Sequence, residues 1–313
     1  MADLAPAPVG TPQSAAATSD AMVEFGVEAE AQWRRVLRRF LRHKLAVASL
    51  MVLVLLVVAS FLGETLARYR YDEYTDDLSS GPSLSHWFGT NAIGQDTFAQ
   101  VLRGARRSLL VAFLVAAVST SFGTLVGALA GYYRGWIDTV LMRLTDLFLT
   151  IPTLAVLLVV ASRFRGRSGN WVAIALVIAG LAWMYLARLV RGIFLSLRER
   201  EFVDAARALG ASDRRIILRH LLPNALGPIV VNATLLVAAA IGIETALSFL
   251  GFGIAPPDTS LGKLVSDGAT AARTRWWLFY TPGLYLVLIS LCINFVGDGL
   301  RDAIDPTTSR VRA

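Results

Sequence analysis

Residues 201–224 read EFVDAARALGASDRRIILRHLLPN and separate two strongly apolar segments of the chain. The apolar residues at the start of this stretch recur at the spacing of one helical face, whereas Glu201, Asp204 and Arg207 fall away from that face. This pattern predicts a short amphipathic helix, and its charges argue against a membrane span. We therefore expect an element that docks against another protein.

The same stretch predicts a bend followed by a second helix. Gly210 can adopt the left-handed backbone conformation that ends a helix, because it has no side chain to clash. Ser212 or Asp213 can cap a second helix, and Pro223 is expected to end it before the next apolar run. The prediction is two short helices joined by a bend.

Composition places the chain in a membrane. Hydrophobic residues make up 55% of its 313 residues and charged residues only 17%, with a mean hydropathy of +0.56. A soluble domain of this composition would have too little polar surface to cover itself. Six runs contain no charged residue and approach the roughly 17 to 25 residues that a helix needs to cross a bilayer, although the third must borrow residues upstream. They are 45–62, 108–133, 147–162, 171–187, 221–243 and 276–297.

Basic residues predict how these six helices are oriented. A cluster crowds the start of the first span and consists of Arg34, Arg35, Arg38, Arg39, Arg42 and Lys44. Because such clusters favour the cytoplasmic side, six spans place both termini and the arginine-rich stretch near 199–223 in the cytoplasm. The loop 163–167 carries three arginines yet falls outside in this topology, and the larger clusters are expected to outweigh it.

The polar residues argue against catalysis and metal binding. The single cysteine, Cys292, lies in an apolar run, and His43, His86 and His220 show no ligand spacing. The sequence contains no G-x-x-x-x-G-K-[ST] phosphate loop, no G-x-S-x-G elbow and no H-E-x-x-H pair. The net charge of +7 is explained by basic membrane flanks, since no aromatic platform for nucleic acid accompanies it. We predict no enzyme, no metal site, no bound cofactor and no nucleic-acid partner.

Asp204-Ala205-Ala206, followed by Gly210 and, after nine residues, by His220-Leu221-Leu222-Pro223, resembles the EAA loop of bacterial ABC importer permeases. In that family the loop forms a coupling helix that sits in a cleft of a separate ATPase subunit. The resemblance implies transport driven by a partner that uses ATP and Mg. Asp204 replaces the usual glutamate, and His220 stands where isoleucine is commoner. The residues assigned to ATPase coupling are Glu201, Asp204, Ala205, Ala206, Gly210, Leu222 and Pro223.

Motifs elsewhere narrow this resemblance to one branch of the family. The stretches 88–106, 244–262 and 294–306 are similar to signatures of dipeptide and oligopeptide permeases, with departures at Gln95 and Leu261. The basic start and the long loop after the first span resemble the C-type subunit. The resemblance implies a bacterial cytoplasmic (inner) membrane protein whose partners are a related B-type permease, two ATP-binding subunits or domains, an extracytoplasmic solute-binding protein and membrane lipid.

These considerations divide the chain into segments. Residues 1–30 contain no Lys or Arg and are rich in Ala, Pro, Ser and Thr, which predicts a disordered cytoplasmic tail. The other segments are a basic entry with the first transmembrane helix at 31–63, an extracytoplasmic segment at 64–107, a permease core at 108–306 with the coupling loop at about 199–223, and a cytoplasmic tail at 307–313.

Three polar residues within the spans are candidates for the substrate pathway. Glu244 is the strongest, since an ionisable side chain in a membrane must face protein or water. It either touches substrate, or it positions a helix by hydrogen bonding or lies near the outer interface, and the latter role without substrate contact is favoured. Asp146 either lines the pathway or pairs with Arg143, and Asn294 is a candidate for a hydrogen bond between helices.

Glycine and proline predict helix packing and a bend. Gly123, Gly127 and Gly131 recur every four residues, which lets another helix backbone approach closely. Packing within the chain is favoured over a subunit interface. Pro152 removes a helical hydrogen bond and is expected to bend the third span.

The sequence thus predicts an all-α integral membrane protein with six transmembrane helices and a cytoplasmic EAA-type coupling loop. Its expected function is to form half of the membrane pathway of an ATP-driven importer of dipeptides or oligopeptides. A nickel or other small-solute importer of the same branch is the nearest alternative, because motifs report architecture better than cargo. A passive channel or a membrane enzyme is a more distant one.

Overall fold

The computed structural model describes residues 32–164 and 171–304. The tails predicted at 1–30 and 307–313 lie outside the described residues, as do Arg165 and Arg167 of the arginine-bearing loop. The described part is almost entirely helical, with one isolated bridge between Thr90 and Asp96. The all-α prediction is therefore confirmed.

The helices are numbered along the chain. They are α1 Gln32–Arg42, α2 Lys44–Leu66, α3 Thr97–Tyr133, α4 Gly135–Thr150, α5 Thr153–Ser162, α6 Trp171–Ala179, α7 Met184–Arg198, α8 Glu201–Ala208, α9 Asp213–Ile216, α10 Leu222–Phe249, α11 Leu261–Ala269 and α12 Trp277–Ile304. A π-helical segment, Ile217–Leu221, joins α9 to α10 without interruption.

Among the described residues, four helical runs are long and apolar enough to cross a membrane, and the number rises to six if each of two bent pairs counts as one span. The four are Lys44–Gly63, Thr97–Tyr133, Asp213–Phe249 and Trp277–Ile304. The pairs are α4 with α5, bent by 80°, and α6 with α7, bent by 42°. Length and composition thus support four of the six predicted spans as single helices, and all six if each bent pair forms one span.

Pro152 explains the sharper of the two breaks. Its ring disfavours a helical conformation in the preceding residue, and Ile151 is extended, with φ −83° and ψ 133°. The helix therefore stops at Thr150 and restarts at Thr153. The predicted bend is confirmed, whereas a single helix over 147–162 is wrong.

The second span also differs from its prediction, since α3 begins at Thr97 and not near residue 108. The Asp96 side chain accepts a hydrogen bond from the Ala99 backbone N–H at 2.8 Å, which caps the helix. The predicted extracytoplasmic segment 64–107 therefore contains the end of α2 and the first turns of α3. Its irregular part spans 67–96.

The bundle has two opposite ends that are fixed by α3. Its last turn contacts Asp213 through Tyr132, and its first turns contact Asp258 through Arg103. We call the end that carries α8 the proximal end and the end where α3 begins the distal end. The α1 helix and the end of α12 pack together next to the start of α10. The first and last described residues therefore share the proximal end with α8.

The core surrounds α3, which packs against α2, α6, α7, α10 and α11. The glycine seam faces α7. A Cβ atom added at Gly123 would lie 2.7 Å from the Trp183 carbonyl oxygen, and one at Gly131 would lie 2.7 Å from Cβ of Phe194. Both distances are shorter than van der Waals contact, so only glycine permits this approach of α3 to α7. The seam is thus used within the chain.

Candidate functional site

The predicted coupling helix α8 buries one side and exposes the other. Val203 and Ala206 are buried in a cluster with Phe194 of α7 and Ile216 of α9. Glu201, Asp204 and Ala205 are exposed, as are the apolar side chains of Phe202 and Leu209, the latter to 88%. The predicted apolar face was therefore partly wrong. Ala206 lies on the buried side with Val203, whereas Phe202, Ala205 and Leu209 form an uncovered strip.

The predicted bend follows α8 directly. Gly210 has φ +77°, in the left-handed region that favours glycine. Its N–H donates to the Arg207 carbonyl at 2.9 Å, and the N–H of Ala211 donates to the Ala206 carbonyl at 3.0 Å. These bonds satisfy two carbonyls at the end of the helix. The role predicted for Gly210 in ending the helix is therefore confirmed.

The predicted second short helix was wrong. Pro223 does not end a helix, because α9, the π-helical segment and α10 form one run from Asp213 to Phe249. Pro223 instead lies inside this run, at the start of α10 and directly after the π-helical segment. The N–H of Leu222 donates back to the Ile217 carbonyl across the wider π turn. The coupling loop therefore continues directly into a membrane-spanning run.

Polar contacts that were not predicted tie the coupling loop to α3. The Tyr132 hydroxyl donates to Oδ1 of Asp213 at 2.6 Å, and Arg198 donates to the Tyr132 carbonyl. Arg134 pairs with Glu199 at 2.6 Å. The sequence signals only that polar side chains follow an apolar run, which does not identify their partners. These contacts join the C-terminal end of α3 to the start of the coupling loop and to the first residue of α9.

At the distal end, Glu244 is fully buried and accepts hydrogen bonds from three serines. The distances are 3.1 Å from Ser108 Oγ, 2.7 Å from Ser248 Oγ and 2.7 Å from Ser260 Oγ. Ser108 belongs to α3 and Ser260 caps α11, so the carboxyl group of α10 connects three helices. Glu244 does not reach a surface of this chain. Its geometry is that of a positioning residue.

A second carboxylate, Asp258, was not predicted and lies two residues before Ser260 in the sequence. Asp258 is buried between two arginines of α3: Nε of Arg103 lies 2.9 Å from Oδ1, and Arg107 pairs with Oδ2. The two guanidinium groups also stack over aromatic rings, Arg103 over Tyr71 and Arg107 over Trp171. We call Glu244, its three serines, Asp258, Arg103 and Arg107 the distal clamp.

The other two candidate pathway residues lie in different environments from Glu244. Asp146 pairs with Arg188 of α7, and not with Arg143 as the sequence suggested, because the chain folds α4 back along α7. Asn294 lies on an exposed side of α12. In the part of the chain that the structure describes, no group of three or more His, Cys, Asp or Glu side chains is arranged to hold a metal ion.

Residues 123–310 match the model of a family described as the inner membrane component of binding-protein-dependent transport systems. The chain belongs to this family. A second family model, the N-terminal TM domain of oligopeptide transport permease C, matches residues 31–82 of this inner membrane component. Together the two matches cover α1, α2 and the whole bundle from the middle of α3 onward. The resemblance drawn from the motifs is confirmed, and the chain is an ABC importer permease.

Curated relatives of this permease align over most of its length. The oligopeptide transport system permease protein OppC of Mycobacterium tuberculosis is 48% identical over 278 residues, which cover 88% of this chain and 95% of the relative. The protein of the same name from Haemophilus influenzae is 39% identical over 292 residues, covering 92% and 93%. A putative peptide permease protein of Brucella suis is 43% identical over 277 residues, covering 87% and 90%.

A solved structure shares the fold of this inner membrane component. An inward-facing conformation of the MetNI methionine ABC transporter superposes with a TM-score of 0.54 and 23% sequence identity. The match covers 66% of this chain and 96% of the solved chain. At this identity the similarity concerns the arrangement of helices and not the cargo.

Proposed function

We propose that this permease forms one half of the membrane pathway of an ATP-driven oligopeptide importer. The observation that carries the proposal is 48% identity with an oligopeptide permease over 95% of that protein's length. In this arrangement a related B-type permease supplies the other half of the pathway. Two separate subunits or domains hydrolyse ATP with Mg, and an extracytoplasmic solute-binding protein delivers the peptide. This chain itself binds no cofactor.

The α8 helix and the Gly210 turn are proposed to contact the ATPase. The uncovered strip of Phe202, Ala205 and Leu209 supports this role, because an exposed apolar strip on a short helix suits a groove in a second protein. Val203 packs on the opposite side of α8 into the bundle. A shift of α8 is therefore passed to α7 and α9 by direct packing.

The proximal end is proposed to face the cytoplasm. It combines the arginines of α1 with those of α7 and the coupling loop, and basic flanks are retained on the cytoplasmic side. Both ends of the described chain lie there, and the irregular segment 67–96 lies at the distal end against Trp277 of α12. The distal end is then the face that receives peptide from the solute-binding protein.

The first test is affinity purification of the tagged chain from its native membrane. Recovery of a second permease and P-loop ATPases supplies a complex for reconstitution into vesicles. We expect uptake of labelled oligopeptides that requires ATP, Mg and the solute-binding protein. Uptake competed by nickel chelates but not by peptides would overturn the cargo assignment. Flux without ATP, or turnover of a substrate by the isolated chain, would favour a channel or an enzyme.

A further inference from the structure

An apolar groove lies at the proximal end between α1, α10 and α12. Its volume is about 640 Å³, which is within the range of small-ligand sites. The side chains that line it include Leu37 and Phe40 of α1, Leu226 and Val230 of α10, and Leu300 and Ile304 of α12. The walls are thus built by three helices, two of which belong to membrane-spanning runs.

The α1 helix covers this groove with only half of its apolar stripe. Phe40 and Val36 pack against the end of α12, in a cluster that includes Ala303. Leu37 and Leu41 continue the stripe along α1 but remain 46% and 58% exposed. Leu226 and Val230 are similarly exposed on α10. The open side of the groove is therefore apolar, and none of the residues that the structure describes covers it.

The remaining sides of α1 are strongly basic. Its sequence contains five arginines and no acidic residue, and helical periodicity places the arginines away from the apolar stripe. Arg34, Arg38, Arg39 and Arg42 are exposed, and the exposed Lys44 opens α2 directly afterwards. A helix with an apolar side, a cationic side and a neighbouring membrane span is typical of the boundary between acyl chains and headgroups.

The basic side of α1, which packs against the end of α12, places the groove at that boundary, and helix length allows it. Both α10 and α12 contain 28 residues, whereas about 20 residues cross the hydrocarbon core. The groove lies at the beginning of α10 and at the end of α12, where these helices leave the core. A molecule that fills it meets apolar walls on one side and arginine side chains at the membrane surface.

We propose that this groove binds an anionic phospholipid. An acyl chain occupies the space between α1, α10 and α12, and the phosphate lies among the basic residues of α1 and the start of α2. The site joins α1 to the first turns of α10, which continue from the coupling loop through α9. The proposal needs a membrane-spanning permease but no particular cargo.

A competing occupant is the N-terminal stretch of the same chain, since residues 1–30 carry five acidic residues and no Lys or Arg. The composition of the groove favours the lipid. Its open side consists of leucine and valine side chains from helices at the membrane boundary, which match acyl chains better than a stretch with five carboxylates. A phospholipid combines one anionic group with long apolar chains and matches both surfaces.

The test measures lipid binding to the assembled, delipidated transporter in detergent by native mass spectrometry. Phosphatidylglycerol and phosphatidylcholine with the same acyl chains are titrated separately. We expect preferential binding of phosphatidylglycerol. Arg42→Gln combined with Lys44→Gln should weaken it about thirtyfold, given the usual contribution of a basic residue at an anionic surface. The control Arg143→Gln with Arg273→Gln removes the same charge elsewhere and should leave binding unchanged.

A second variant tests the groove itself. Val230→Trp fills the open side and should displace the bound phosphatidylglycerol. Leu284→Trp is the matched control. Leu284 is exposed like Val230, but it belongs to α12 and lies about 18 Å along that helix from Val296, which lines the groove. Equal binding of the two lipids, or binding that survives both the charge and the groove variants, would overturn the proposal. Phosphatidylglycerol binding that appears only after deletion of residues 1–30 would assign the groove to the tail.

Discussion

The distal and proximal ends of the bundle are built on opposite principles. At the distal end, the side chain of Glu244 is fully buried, and its carboxyl group accepts hydrogen bonds from three serine hydroxyls of the same chain. At the proximal end, α8 leaves Leu209 88% exposed, and its Asp204–Arg207 ion pair is a local contact between residues three apart. A region whose buried polar groups are paired within the chain holds its helices in a fixed arrangement. A region with uncovered apolar side chains is suited to bind a second molecule that covers them.

This contrast predicts which variants affect stability and which affect transport. Substitutions in the distal clamp should unfold or loosen the bundle, since buried partners lose their counterparts. Substitutions on the exposed side of α8 should leave folding intact and uncouple transport from ATP hydrolysis. Four variants test the contrast, in order of decreasing expected effect on the free energy of unfolding.

Asp258→Ala is expected to have the largest effect, because it leaves Arg103 and Arg107 without their shared carboxylate. Removal of one partner of a buried ion pair typically costs about 3–5 kcal/mol. Denaturation of the purified protein in detergent measures the loss. The control is Asp267→Ala. Asp267 and its partner Lys263 are both more exposed than Asp258 and Arg103, so a cost of about 0–1 kcal/mol is expected. Equal losses in both variants would contradict the clamp.

Glu244→Leu removes the acceptor of three serine hydroxyls. A buried group left without a partner costs about 1–3 kcal/mol. The net loss should stay below that of Asp258→Ala, because the variant also removes the cost of burying a carboxyl group and because Ser248 and Ser260 can bond one another at 3.4 Å. Glu244→Gln keeps a carbonyl acceptor and should be milder in the same denaturation assay. If the leucine variant keeps its stability but no longer transports peptide, Glu244 acts in the substrate pathway and not as a positioning residue.

Gly210→Val forces a β-branched residue into the left-handed region, at a cost of about 1–2 kcal/mol confined to the turn after α8. We expect normal membrane insertion and assembly, with impaired transport or ATPase stimulation. Gly192→Val is the matched control, since an added Cβ also meets no atom within 4 Å there but the backbone is helical. Normal coupled transport by the Gly210 variant would count against the role of this turn.

Leu209→Ser should have the smallest effect on stability, within about 0.5 kcal/mol, because the side chain contacts little of its own chain. Its expected phenotype is lower transport-dependent ATP hydrolysis by the reconstituted complex. Leu218→Ser changes a half-exposed leucine on the neighbouring helical run and serves as the control. If both variants hydrolyse ATP normally, the uncovered strip on α8 is not the ATPase contact.

The sequence predicted local features well and partners poorly. The break at Pro152 and the left-handed turn at Gly210 were both foreseen, because ring geometry and the absence of a side chain act within a few residues. The end assigned to the helix at Pro223 was wrong, since the preceding π turn accommodates the proline. Asp146 was paired with a neighbour in sequence, whereas folding brings Arg188 to it.

The sequence by itself determined an all-helical membrane protein with a charged helical segment near 199–223, since the composition, length and periodicity of each run are local properties. Only the tertiary structure decided how the polar residues within the bundle are used. Ser108 meets Glu244 across 136 residues, and Arg103 meets Asp258 across 155. Such pairs depend on which helix faces cross, and no pattern within one helix specifies that crossing. The same holds for α8, because packing of Val203 and Ala206 against α7 and α9 decides which side of the helix stays exposed.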